Sequence, residues 1–226
     1  MNKNPWIIFF VIALAANISG VLLHHETVQF VSKPFIIITL AGYFITSIKG
    51  ISDKLTTWVL LALLFSWLGD VLLLFESKNS LFFLLGLSAF LLAHIFYIIF
   101  FHKIRFNESI AGKWWLLLIV VVYYALLLSI LSPYLGSMKI PVRIYGVVIS
   151  FMFMLAMHML FLKNKRTGLL MMIGAFLFVV SDSVLAINKF YYSFEIAGVV
   201  IMLTYGAAQF FIVEGAIKYI SSRDKE

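Results

Sequence analysis

Apolar residues in this chain follow neither the two-residue alternation of a half-buried strand nor the single stripe of an amphipathic helix. They come as eight long runs separated by short polar breaks. Each run approaches the roughly 17 to 25 residues that a helix needs to cross a bilayer core. Spans are predicted near 6–23, 33–49, 55–75, 81–101, 114–131, 141–161, 167–188 and 194–219. The breaks carry helix punctuation. Gly50 follows the second span, Ser52 or Asp53 can cap the third, Ser80 the fourth and Ser193 the eighth, while Pro34 and Pro141 fall in first turns. With loops this short, residues 1–226 are expected to form one domain, an all-α polytopic transmembrane bundle with no soluble part.

Composition agrees. With 63% hydrophobic residues, 12% charged and a mean hydropathy of +1.07, the chain is too apolar for a soluble globule. It has no cysteine, which excludes disulfides, a thiolate nucleophile and cysteine-based zinc sites. The net charge of +7 lies in the breaks between runs, so it reads as topology signal and lipid head-group contact; no nucleic-acid partner is expected. Lys3 followed by a run through Ala15 and Ala16 resembles a signal peptide, but the run continues to Leu23 and is read as a retained helix.

Counting basic residues by side sets the expected orientation. Lys3, Lys49, Lys54, Lys103, Arg105, Lys113, Lys163, Lys165, Arg166, Lys218, Arg223 and Lys225 fall on the terminal side, twelve against five for Lys33, Lys78, Lys139, Arg143 and Lys189. Both termini are therefore expected in the cytoplasm, and the protein in a bacterial inner membrane.

Two aspartates stand inside this apolar background: Asp70 in LLFSWLGDVLLLF and Asp182 in AFLFVVSDSVLAI. A carboxylate in a span is costly, so each needs a structural partner or a task. Each lies 15 residues past its span's start, about 22 Å up a core of about 30 Å. Their separation, close to half the chain, suggests two four-helix halves repeated in parallel. Lys33, and Tyr145 with Arg143, fall near the outer boundary, where they could hold a phosphate head group. Asn17, His94, Tyr205 and Gln209 fall deeper, as candidates for a lower cavity wall. Structural readings stand beside these. Asn188 and Lys189 could satisfy Asp182, Lys33 could snorkel to the interface, and His94, counted by helical rise, lies deeper than Asp70 and away from both carboxylates.

Several stretches resemble the YhhN-like lysoplasmalogenases, eight-span integral membrane proteins. They are Lys33-Pro34, Phe65-Ser66 through Gly69-Asp70, His94 with Tyr97, Tyr145, Gly174-Ala175 through Ser181-Asp182-Ser183-Val184-Leu185-Ala186 with Phe190, and Thr204-Tyr205 with Ala208-Gln209. The resemblance implies hydrolysis of the vinyl ether bond of a lysoplasmalogen, giving a fatty aldehyde and glycerophosphoethanolamine or glycerophosphocholine. It implies Asp70 and Asp182 as the catalytic pair. Lys33, His94, Tyr145, Ser181, Tyr205 and Gln209 are the expected substrate contacts, with a lysophospholipid and membrane lipids as partners and neither metal nor cofactor.

The chemistry suits two carboxyl groups. Protonating the β-carbon of a vinyl ether makes an oxocarbenium ion, water adds, and the hemiacetal collapses. One acid and one base are required, as in glycoside hydrolysis. Two like charges facing one cavity would share a proton, and the sequence does not assign acid and base between them. Other chemistries fit less well. There is no His-Glu-x-x-His, and Gly86-Leu87-Ser88-Ala89-Phe90 misses the serine-hydrolase elbow at its last position. Leu68-Gly69-Asp70 matches intramembrane aspartyl proteases only in part. The alternative from another class is a lipid or proton-coupled carrier that binds an ion or substrate at the two aspartates.

Overall fold

The computed structural model describes residues 4–224, and among them every regular element is helical. The eight helices are α1 (Pro5–Leu22), α2 (Glu26–Ser47), α3 (Lys54–Leu73), α4 (Ser80–Asn107), α5 (Trp114–Leu131), α6 (Lys139–His158), α7 (Lys165–Ala186) and α8 (Ala197–Arg223). Each is long and apolar enough to cross a membrane. A 3₁₀ turn, Met159–Phe161, extends α6, and a π turn, Ile187–Tyr191, extends α7. Lys3 and Lys225, used above for orientation, lie outside the described residues.

Alternation of eight helices leaves the first and last described residues on one face, with loops 48–53, 108–113 and 162–164. The other face carries loops 23–25, 74–79, 132–138 and 192–196. Helix α8 packs against α7, α1, α2 and α3, while α4 joins α3 to α6. The remaining helix, α5, is peripheral: it buries only Leu116, Val120 and Leu131 and turns most of its other apolar side chains outward, as lipid requires. Because lipid tails are as apolar as leucine, helix association here depends on close contact. Glycines supply it. A Cβ on Gly174 would lie 2.8 Å from Ala208 O and 2.8 Å from Ile212 N, so α7 and α8 meet backbone to backbone.

Boundaries depart from expectation where polar side chains find tertiary partners. Helix α2 begins at Glu26, seven residues before the predicted 33, because its polar first turns are satisfied by α1. Asn17 Nδ2 donates to Ser32 Oγ at 3.1 Å, and Gln29 Nε2 donates to Gly20 O at 3.0 Å. Pro34 therefore lies inside α2, not in its first turn, and the helix continues through it to Ser47. Asp53 caps α3 through Leu55 N at 2.8 Å. Asn79, not Ser80, caps α4, whose far end runs on to Asn107. Ser193 caps nothing: α8 starts at Ala197, and Phe194 N bonds instead to Asn188 Oδ1 at 3.1 Å.

Candidate active site

Asp70 stands three residues before the end of α3, and Asp182 four before the end of α7, so both lie toward the face opposite the termini. Their company differs. Asp70 is 2% exposed; its Oδ2 accepts a 2.7 Å bond from the Tyr205 hydroxyl of α8, and its Oδ1 lies 3.8 Å from Lys33 Nζ of α2. Glycine at position 69 lets the Phe90 ring close over this group, since a Cβ there would stand 2.6 Å from the ring. Phe90 in turn meets Tyr205 edge to face, with centroids 5.8 Å apart.

Asp182 accepts a hydrogen bond at Oδ2 from the Tyr145 hydroxyl of α6. The same oxygen lies 3.8 Å from His94 Nε2 of α4. His94 is fully buried, set edge-on to Tyr145 and Phe178 at 5.3 and 4.6 Å, and neither ring nitrogen has a hydrogen-bond partner among the described residues. Asp182 and Tyr145 open on a small cavity of about 40 Å³, walled by Phe83, Phe90, Val142 and Phe190. That is room for about one or two waters. Asp70 does not line it; Phe90 belongs to its wall and also packs on Tyr205, which holds Asp70.

The depth expected for His94 is corrected by this geometry. Counting Cα rise set it away from both aspartates, yet it faces Asp182. The reason is direction: α4 runs toward the terminal face and α7 away from it, and each Cα–Cβ bond tilts toward its helix's N-terminus. His94 therefore leans toward the far face and Asp182 away from it, until they meet.

The other expected contacts fall into three groups. Lys33 and Tyr145 engage the two carboxylates, one each, rather than an open phosphate site, and Arg143 Nη2 donates to Ser132 Oγ at 3.1 Å. Gln209 accepts from the Tyr97 hydroxyl at 2.6 Å and donates to Ser66 Oγ at 2.9 Å, forming a buried cross-link below the aspartates. Ser181 donates to Ile201 O at 3.1 Å between α7 and α8, outside the cavity wall. The suggested partners of Asp182 are engaged elsewhere as well: Asn188 with Phe194 N, and Lys189 with Glu76 at 3.5 Å. One group went unnoticed in the sequence. The Tyr123 hydroxyl donates to Ser183 Oγ at 2.8 Å, since Ser183 itself donates to Val179 O at 2.6 Å. The tyrosine pair in VVVYYALLL, the polar-capable spot of an aliphatic run, was the available signal. Among the described residues, no group of three or more His, Asp or Glu side chains could hold a metal ion.

With this arrangement in view, the chain can be set beside known proteins. Residues 28–216 match the YhhN family. The lysoplasmalogenase of Mycobacterium tuberculosis is 31% identical over 208 residues, covering 91% of this chain and 76% of the relative. The Mycobacterium bovis lysoplasmalogenase matches to the same extent. A human protein, lysoplasmalogenase TMEM86A, is 30% identical over 166 residues, covering 72% of this chain and 66% of its own length. No solved structure matches.

Proposed function

This chain belongs to the YhhN family, and from that premise we propose that it is a membrane hydrolase cleaving the vinyl ether bond of a lysoplasmalogen. The observation that carries the reading is a buried carboxyl group, Asp182, held by a phenol and flanked by an imidazole at the wall of an apolar cavity inside the membrane. A carboxyl group at that depth is an expensive feature for mere packing, and hydrolysis of an enol ether needs a proton donor in such a place.

In this account Asp182 is the acid, because it faces the cavity. Its proton passes to the β-carbon of the vinyl ether while the C=C electrons form that C–H bond, leaving an oxocarbenium ion. Water adds to the cationic carbon and returns a proton to the Asp182 carboxylate. The hemiacetal then breaks its bond to the glycerol oxygen, which takes up the remaining proton, giving an aldehyde and an alcohol. Tyr145 orients the carboxyl group, and His94 approaches the same oxygen from the other side. Asp70 sits one layer behind, and its part is electrostatic and positional, exerted through Tyr205 and its charge.

Two features support reading the site as a repeated unit. Tyr97 and Gln209, which bond to each other, are 112 residues apart, and at about that shift α2 falls on α6 and α3 on α7. Lys33 precedes Asp70 by 37 residues, as Tyr145 precedes Asp182. The same scaffold position thus supplies a cation to one aspartate and a phenol to the other, which fits a division of labour between them. The carrier reading has less support, since α2 passes Pro34 unbroken and, among the described residues, no helix is interrupted near its middle.

The test is aldehyde release by the purified protein. Wild type should convert choline and ethanolamine lysoplasmalogens and spare an ester lysophospholipid. Asp182→Asn should lose about 100- to 10,000-fold of the rate while remaining folded. Substrate flux across proteoliposomes without aldehyde would favour the carrier instead.

A further inference from the structure

The helical face that carries Asp182 continues into the π turn, where it presents Lys189 and Phe190. Phe190 and Phe83 line the Asp182 cavity and pack edge to face, with centroids 5.8 Å apart. Lys189 Nζ lies 4.9 Å over the Phe83 ring and 3.5 Å from Glu76 Oε2, in the turn that follows α3. The two charged side chains are 41% and 39% exposed. One cation and one anion therefore stand side by side near the cavity, on the face opposite the termini, and the lysine covers a phenylalanine that lines the cavity of the reactive carboxyl group. The basic groups first expected to hold a phosphate are engaged elsewhere: Lys33 with Asp70 and Arg143 with Ser132.

We propose that Glu76 and Lys189 form the head-group site of the enzyme, taking a zwitterionic phosphoester with its phosphate on Lys189 and its ammonium on Glu76. The proposal rests on the vinyl ether reading above. An exposed ion pair contributes little to stability, so little opposes its opening. A zwitterion inserted between the two replaces one pair by two and leaves the net charge unchanged. A head group with phosphate but no ammonium would bring like charge to Glu76. The spacing agrees: Asp182 and Lys189 are seven residues apart. That is about 10 Å of helical rise, against roughly 7 Å from the vinyl ether carbon to phosphorus along an extended glycerol backbone. The lysine stem spans the difference.

The experiment uses the full-length protein in nanodiscs, as wild type, Glu76→Gln, Lys189→Gln and the charge-exchanged double variant Glu76→Lys/Lys189→Glu. Three alkenyl substrates are compared: one with a choline head, one ending in a phosphate monoester, and one with glycerol alone. Wild type should prefer the choline head. Glu76→Gln should abolish that preference, through a KM about tenfold higher for the choline substrate. Lys189→Gln should raise KM for both phosphorylated substrates, and kcat/KM on the glycerol substrate should stay unchanged in either. The double variant should keep its thermal midpoint without regaining the preference. Two results overturn the proposal: single variants with wild-type substrate ratios, or a charge exchange that restores wild-type kinetics, as a merely structural pair would. Binding of an alkyl lysophosphocholine, which has no double bond to cleave, is measured in parallel. If wild type releases no aldehyde yet binds this ligand in a Glu76-dependent way, the reaction assignment fails and the head-group site stands. Binding indifferent to both variants removes the site.

Discussion

Lys33 and Asp70 form a contact whose energetics are set by its surroundings. The carboxylate is 2% exposed and the lysine side chain 16%, so removing the cation alone strands a charge in a dry interior. Lys33→Met should destabilise the protein by about 3 kcal/mol, and Lys33→Met/Asp70→Asn should recover much of that loss. Thermal unfolding of these two variants and of Asp70→Asn in one detergent checks this; additive losses would mean that the pair is not coupled. At Asp182 the corresponding test is kinetic. Tyr145→Phe deletes the hydroxyl donated to the carboxyl group and should cost about tenfold in kcat with little change in the thermal midpoint. Unchanged turnover would remove Tyr145 from the site. Both aspartates were legible in the sequence, because charge in an apolar run needs an explanation. Their partners were legible only as types. That Lys33 would meet Asp70 depended on where α2 begins, and that His94 would meet Asp182 depended on side-chain direction, which a count of helical rise ignores.

Among the elements, α7 and α8 depend on close backbone approach. Gly174→Val would push a branched side chain against the Ala208 carbonyl and Ile212 amide of α8, where nothing flexible can give way. Overpacking of about 1–3 kcal/mol is expected, read as a lower midpoint in thermal unfolding and weaker aldehyde release, since Asp182 and Tyr205 are carried by the two displaced helices. A variant with unchanged midpoint and rate would contradict that packing. The helices were legible because eight apolar runs of bilayer length leave little else to form. Their ends were less so. The polar start of α2 reads as loop until Asn17 and Gln29 are seen to bridge α1 and α2, and the π turn after α7 has no mark in hydropathy.

At the scale of the molecule, the bundle sets its two carboxyl groups near one face and presents the Asp182 cavity beneath an ion pair on that face. The excess of basic residues at the other face supports cytoplasmic termini. The chain has no cysteine of its own, so single-cysteine labelling reads the orientation directly. Ser77→Cys, in loop 74–79, should react with an impermeant maleimide added outside intact cells, and Ala111→Cys, in loop 108–113, only after the membrane is opened. The reverse pattern would invert the topology. If Asp182 protonates the carbon of a vinyl ether, turnover in D₂O labels the product at that carbon. Wild type should release aldehyde carrying one deuterium on the carbon beside its carbonyl, and Asp182→Asn almost none. Undiminished release of deuterated aldehyde by Asp182→Asn, or none from wild type, would contradict this role of Asp182.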